Sequence, residues 1–292
     1  MTHIFKRISF LCLAFVLLVS FKSDKPAYIL YNKYGKQVKF KKLIESAKKA
    51  DVVFFGELHN NPISHWLQLE LTNELFKSSG PNLVLGAEMF EADNQEGLDQ
   101  FLRSEIDKET FKTTVRLWPN YKTDIEPLVE FAKEKQLRFV ATNIPRRYAS
   151  MVYRNGVGSL DTLPDHVKAW IAPLPMAYDP ELPGYKNMLS MMGGTPGHTS
   201  ENFPKAQAIK DATMAWFIHQ NLKSGQQFIH FNGTYHSDNY EGIIWYLRRL
   251  RPELHIVTIA TIENENIRKL PEDKKGLADF ILAVPENMTK TH

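Results

Sequence analysis

The chain has 292 residues, of which 43% are hydrophobic and 24% charged, and a formal net charge of +3. That length suits one large α/β domain or two small ones, and the composition is globular rather than disordered or fibrous. The charge is modest and partly N-terminal (Lys6, Arg7, Lys22), and no basic stripe interleaves with aromatics, so nucleic acid is not an expected partner.

Residues 1–23 read as a signal segment or N-terminal anchor, ahead of a single domain over 24–292. Lys6 and Arg7 precede the apolar run Ile8 to Phe21, and polar residues 22–26 follow, which is the layout of a secretory signal. The run is shorter than the roughly 20 residues that a spanning helix needs. The expectation is export to the periplasm or cell envelope, with an uncleaved membrane anchor left open by the weak cleavage pattern at Ser20 and Ser23. Cys12, the single cysteine, lies inside this run and is too early to accept a lipid. The rest of the chain has no disulfide and no thiol ligand, so a metal there must use His, Glu, Asp or Tyr.

In chain order, Tyr28 to Lys39 predicts a short hairpin turning at Lys33-Tyr34-Gly35, followed by a helix over Phe40 to Lys49. Val52 to Phe55 is apolar at every position, as in a parallel strand buried on both faces. A helix over Ile63 to Phe76 follows, with Pro62 suited to its first turn. Leu83 to Ala87 is a second such strand, running into Glu88. Helices are predicted over Gln95 to Leu102 and Ile125 to Lys135, and a third strand over Leu137 to Ala141. Residues 155–205 are rich in Pro and Gly and hold Met176, Met188, Met191 and Met192. They read as a helical or loop insertion covering the carboxyl end of the strands. A helix over Ala206 to Leu222, a strand over Gln227 to Phe231, a helix over Tyr240 to Leu250 and strands over His255 to Ile262 and Ala278 to Val284 complete the pattern. Strands alternating with helices give an α/β fold: a mainly parallel sheet flanked by helices.

In such a fold the chemistry gathers at the carboxyl ends of the strands. Glu57 and His59, Glu88, Asn143 with Arg146 and Arg147, and His236 all follow strands, so they should meet on one rim. Two imidazoles and two carboxylates there suit either a divalent metal, held by His59, Glu88 and His236, or a general base oriented by a carboxylate. Each residue alone has an ordinary explanation: a Glu after a strand balances a helix dipole, and a lone His is commonly a hydrogen-bonded structural residue. The case rests on convergence. His198, in the Gly-rich stretch 193–198, is a further candidate.

Two G-x-x-H elements, Gly56-Glu57-Leu58-His59 and Gly233-Thr234-Tyr235-His236, flank Gly86-Ala87-Glu88-Met89-Phe90. Together they resemble the signature of the Tiki superfamily, which includes Tiki-type proteases, erythromycin esterase-like hydrolases and ChaN haem-binding proteins. Leu117-Trp118-Pro119-Asn120-Tyr121, Ala141-Thr142-Asn143-Ile144-Pro145 and Asp211-Ala212-Thr213-Met214-Ala215 are similar to the ChaN branch in particular. The resemblance runs from about residue 50 to 284. It implies an exported haem-binding protein of iron uptake, a homodimer enclosing haem with tyrosine ligation, and an outer-membrane haem receptor as a partner. Tyr121, Tyr148 and Tyr178 are the candidate ligands, Met176 a candidate wall, and Arg146 and Arg147 candidate partners for the propionates. The hydrolase branches imply the alternative, a peptide or ester hydrolase using Glu57, His59, Glu88 and His236. Unlike lipoprotein members, this chain has no cysteine placed to take a lipid.

Overall fold

In the computed structural model, which describes residues 25–191 and 201–292, the all-apolar runs do form the centre of one sheet. The strands are β1 (Ile29–Asn32), β2 (Gln37–Val38), β3 (Val52–Glu57), β4 (Leu83–Glu91), β5 (Arg138–Asn143), β6 (Gln227–Gly233), β7 (Ile256–Asn264) and β8 (Phe280–Pro285). Their order across the sheet is β2-β1-β8-β7-β3-β6-β4-β5. The six strands from β3 to β8 run parallel to their neighbours, while β1 and β2 add an antiparallel edge. The mainly parallel α/β sheet is therefore as the sequence predicts. The signal or anchor segment, Cys12, Met192 and His198 lie outside the described residues. Among the described residues, no helix is long and apolar enough to cross a membrane.

Alternation along each strand divides the core between the two faces. Val53 and Phe55 of β3, with Leu83, Leu85 and Ala87 of β4, pack beneath helices α1 (Phe40–Ala47), α2 (Pro62–Ser79), α3 (Gln95–Leu102), α4 (Lys108–Thr114) and α5 (Glu126–Glu134). Val52, Phe54 and Val84 face the other way. Over them lie α6 (Arg146–Asn155), α9 (Asn202–Asn221) and α10 (Ile243–Leu250); the single-turn α7 (Asp165–Lys168) lies in the connection, and α8 (Pro183–Met191) packs on α9 through Tyr185, Met188 and Ala208. Each fully buried Phe or Leu contributes roughly 1.5–3 kcal/mol of hydrophobic stabilisation. Covering both faces is what makes a continuous apolar run, rather than an alternating one, the right strand signal.

Several elements differ from the sequence reading for local reasons. α4, unpredicted, starts because Asp107 accepts a hydrogen bond from the Thr110 N–H at 2.8 Å. α6 was also unpredicted; it is strongly polar, and only Ala149 and Val152 of it are buried. α9 begins at Asn202 rather than 206, and Pro204 is tolerated because first-turn N–H groups have no intrahelical acceptor. α10 begins at Ile243 rather than 240, since Asn239 and Tyr240 take left-handed φ values of 58° and 60° that break a helix.

Tyr121 lies in the first of the two cores, 4% exposed, against Phe90 and Phe111. Among the described residues, its hydroxyl has no hydrogen-bond partner. An unpaired buried hydroxyl is a standing cost, so Tyr121→Phe is expected to raise stability by about 1 kcal/mol. Urea denaturation showing a loss of stability instead would mean that the hydroxyl has a partner in solution.

Candidate functional site

The placement of β6 between β3 and β4 builds the site. Glu57 pairs in register with Gly233, so the two G-x-x-H elements leave the sheet side by side. On the other flank of β6, Glu88 accepts the Gly233 N–H at 2.7 Å. Gly233 is needed here for space: a Cβ on it would lie 2.8 Å from His59 Nε2 and 3.5 Å from Glu88 Oε2. Glycine therefore lets His59 and Glu88 approach across the strand between them.

The His59 loop is fixed from both ends. Asn61 caps α2, its side-chain oxygen accepting from the Ile63 and Ser64 N–H groups at 3.0 and 3.2 Å, and Pro62 occupies the first turn. His65, on the next turn, contacts the His59 carbonyl through Nε2 at 3.1 Å, and the Asn120 amide donates to that same oxygen at 3.0 Å. His59 Nδ1 meets Glu57 Oε1 at 2.9 Å, and Gln68 donates to the other Glu57 oxygen at 2.5 Å. Trp118 packs edge-on against the imidazole at 4.9 Å.

The second imidazole is held by two carboxylates. His236 Nδ1 meets Asp211 Oδ1 at 2.5 Å, and its Nε2 lies 3.3 Å from Glu88 Oε1. Tyr185, on α8, donates to the remaining Asp211 oxygen at 2.7 Å. Asp211 and Glu88 are 2% and 5% exposed, so these charges are withdrawn from water and require one another. Burial pulls the His236 pKa down, but the charges of Glu88 and Asp211 outweigh it and raise it to about 10. Burial likewise pushes Glu88 up, yet His236 and His59 carry it well below the usual carboxylate range. For His59 too, burial opposes and the Glu57 hydrogen bond and Glu88 charge prevail, leaving it raised. The rim thus holds two carboxylate-oriented imidazoles with Glu88 between them.

Glu57, His59, Glu88 and His236 are brought together as one site. The proposed metal set His59, Glu88 and His236 finds no support: among the described residues no group of three or more His, Asp or Glu side chains could hold a metal ion. The physical reason is visible in the pairing. Both His236 nitrogens face carboxylates, and one Glu88 oxygen is taken by a backbone N–H. Asn143 also reaches this centre, its amide donating to the Glu88 carbonyl at 2.9 Å.

The candidates for a haem slot are scattered. Tyr121 is sealed in the core, where burial raises its pKa strongly and disfavours a phenolate. Arg147 is bound to Asp93 at 2.7 Å and stacks on Tyr148 at 4.6 Å, while Arg146 is exposed. Met188 fills core beside Tyr185 and Ala208. Tyr178 and Met176 remain in favourable positions. Tyr178 is half-buried and stacked on Tyr185 at 5.8 Å, with its pKa raised by burial and by Asp179. Met176 lines a cleft of about 240 Å³ with Pro173, Trp216, Tyr246 and Arg249. These residues fit a porphyrin in kind: an apolar wall, a cation in Arg249, and an accessible phenol adjoining in sequence. The cleft is smaller than the roughly 300–1,000 Å³ of a pocket enclosing a drug-sized ligand. One chain would therefore cover only part of a macrocycle.

Sequence reasoning missed Asp211, Tyr185 and Arg249. Asp211 had a usable signal: a single carboxylate among Ala208, Ile209, Ala212, Met214 and Ala215 on a buried helix must have a charged or hydrogen-bonded partner. Tyr185 and Arg249 carried none.

Comparison with known proteins agrees with this architecture. The sequence pattern of the family described as haem-binding uptake, Tiki superfamily, ChaN matches residues 43–247. The solved structure of ChaN of Campylobacter jejuni with cofacial haem is similar over 87% of this chain and 96% of that one, with a TM-score of 0.66 and 18% identity. RRSP, a MARTX toxin effector domain from Vibrio vulnificus, aligns over 85% of this chain and 40% of that one, with a TM-score of 0.46 and 15% identity. Among curated sequences, the chloroplast protein RETICULATA-RELATED 5 of Arabidopsis thaliana is 29% identical over 126 residues. That match spans 41% of this chain and only 17% of the plant protein's length.

Proposed function

Since the chain belongs to the ChaN family of haem-binding uptake proteins in the Tiki superfamily, we propose that it is an exported haem carrier of the cell envelope, acting in iron uptake as a homodimer and exchanging haem with an outer-membrane receptor. The observation that carries this reading is the Met176 cleft, with Tyr178 packed beside Met176 on the Tyr185 cluster. Tyr178 would bind the haem iron, Met176 and Trp216 would supply apolar walls, and Arg249 would pair with a propionate. Bound haem supplies the iron and its redox chemistry; the chain supplies orientation, shielding and charge. The small volume of the cleft supports a dimer, since a second copy would cover the exposed face of the macrocycle. Arg249 replaces Arg146 and Arg147 in this reading because it alone of the three lines the cleft.

The test is a haem titration of the purified protein, followed by absorbance and size-exclusion chromatography. A saturable Soret band with a shift to dimer is the expected result, and Arg249→Ala should weaken binding about two- to fivefold, the value of one exposed ion pair. A titration giving only unsaturable, nonspecific absorbance would remove the carrier reading.

One observation favours a second reading. The His59–Glu57 pair gives an imidazole at the rim a carboxylate at Nδ1, the arrangement that orients a general base. A peptide or ester hydrolase would use it. The same preparation, assayed on an ester and peptide panel with His59→Ala as control, distinguishes the two: turnover that His59→Ala abolishes supports the hydrolase.

A further inference from the structure

The β1–β2 hairpin and α1 carry a concentration of positive charge that neither the rim nor the Met176 cleft uses. Between residues 33 and 49 there are seven lysines and one acid, Glu45, and all seven lysines are exposed. Lys42 pairs with Glu45 at 3.8 Å and Lys48 with Glu74 at 3.6 Å. Among the described residues the other five have no carboxylate partner. The Lys33 ammonium instead lies 5.3 Å from the centre of the Tyr34 ring, and Tyr34 is 73% exposed at the hairpin turn.

These groups gather at one end of the sheet. The hairpin turns after Asn32, which pairs with Phe280 at the start of β8; Lys49 lies just ahead of β3 and His255 just ahead of β7. This is the amino end of the parallel strands, about 20 Å from the rim along the six residues of β3. Lys33, Tyr34, Ser46, Lys49 and His255 line one recess there, of about 290 Å³. His255 Nδ1 meets the Lys49 carbonyl at 2.8 Å, which ties the imidazole to the turn after α1. Asp279 also borders the recess, but its oxygens are taken: one by the Tyr240 hydroxyl at 3.0 Å, the other by the Thr258 N–H and hydroxyl at 3.0 and 3.2 Å. Asp51 accepts the His255 N–H at 2.7 Å. The carboxylates here are committed and the lysines are not.

We propose that this end of the molecule docks on an anionic lipid bilayer, with Tyr34 at the level of the headgroups and a lipid phosphate in the recess between Lys33 and Lys49. Charge complementarity selects the occupant: lysines without carboxylate partners are attracted to an anionic bilayer within a Debye length of its surface. An exposed tyrosine at a protruding turn has the apolar body and polar tip that suit the headgroup layer. A single-stranded nucleic acid would need a series of aromatic platforms, and Tyr34 is the only exposed aromatic between residues 33 and 49. Docking in this way leaves the rim facing away from the bilayer. The inference goes beyond the carrier reading and uses none of its residues.

Acetylation of individual lysines, read by mass spectrometry on the full chain, tests the idea. Vesicles containing phosphatidylglycerol, compared with pure phosphatidylcholine, are expected to slow acetylation of Lys33, Lys36 and Lys49. Exposed Lys122, next to the Asn120–Tyr121 turn at the rim end, should keep its rate. The apolar run over residues 8–21 is present in both arms, so any anchoring by it cancels. In Lys33→Ala combined with Lys49→Ala, the phosphatidylglycerol concentration that half-protects Lys36 should rise roughly 25-fold, about fivefold for each lysine. Equal rates on the two kinds of vesicle would overturn the proposal, as would a double variant whose Lys36 is protected at the wild-type concentration. So would protection by inorganic phosphate or a DNA duplex at lower concentration than by vesicles, because the face would then serve a soluble anion or a nucleic acid.

Discussion

Asp211→Ala is expected to destabilise the folded protein by about 3–5 kcal/mol, the cost of breaking a buried ion pair. The substitution takes a carboxylate from His236 Nδ1 and an acceptor from the Tyr185 hydroxyl, both out of reach of water. Asp211→Asn, which keeps an acceptor but loses the charge, should cost less. The pH dependence separates this charge effect from simple loss of packing. His236 titrates near 10 in the folded state against an ordinary value of 6.5, so its contribution is complete below 6.5 and disappears as pH rises through about 10. Glu88 is displaced the other way, so its contribution is present above its ordinary 4.5 and fades as pH falls through its depressed value. The two are one charge pair seen from either partner and count once. Stability should therefore be level between about 4.5 and 6.5 and decline toward alkaline pH. In Asp211→Ala that decline should begin at the same pH but be smaller and end at lower pH, because His236 keeps only one carboxylate. Denaturation profiles of wild type and variant that run parallel at every pH would show that the charge pairing contributes nothing.

Tyr178→Phe should weaken haem binding on the order of 10–100-fold, the range seen when groups that tune a bound metal are lost, and should abolish the tyrosinate-to-iron absorption. Tyr178 is half-buried and packs with Met176 on the Tyr185 cluster, whereas Tyr121 is sealed in the core and Tyr148 is stacked beneath Arg147. Tyr121→Phe and Tyr148→Phe should leave the haem spectrum unchanged. If Tyr148→Phe loses the band and Tyr178→Phe keeps it, the ligand lies on α6 and the cleft assignment fails with it.

The strands were legible because a sheet covered on both faces needs apolar residues at successive positions, and Val52 to Phe55 and Leu83 to Ala87 supply them. Their carboxyl ends gave the rim directly. Glu88 was read as the residue after a strand, whereas β4 continues through it to Glu91, since the Gly233 N–H satisfies the carboxylate within the sheet. Asp211, alone among apolar neighbours, signals a buried partner but not which one. Its role depends on α9 crossing beneath the β6 loop, a tertiary fact that no local spacing encodes. α6 escaped because polar residues dominate its sequence and so little of it is buried.

The position of β6 also dictates when the site can exist. Gly233 lies 145 residues beyond the Glu88 carboxylate it meets, and the same strand seals β3 on its other side. A growing chain that has made β3, its helix and β4 has three of the four rim residues on hand but no surface that brings them into register. Closing loops of this length is slow. The insertion of one late strand then assembles both imidazoles and both glutamates in a single event. During synthesis the rim chemistry is silent, and it appears only in the finished molecule.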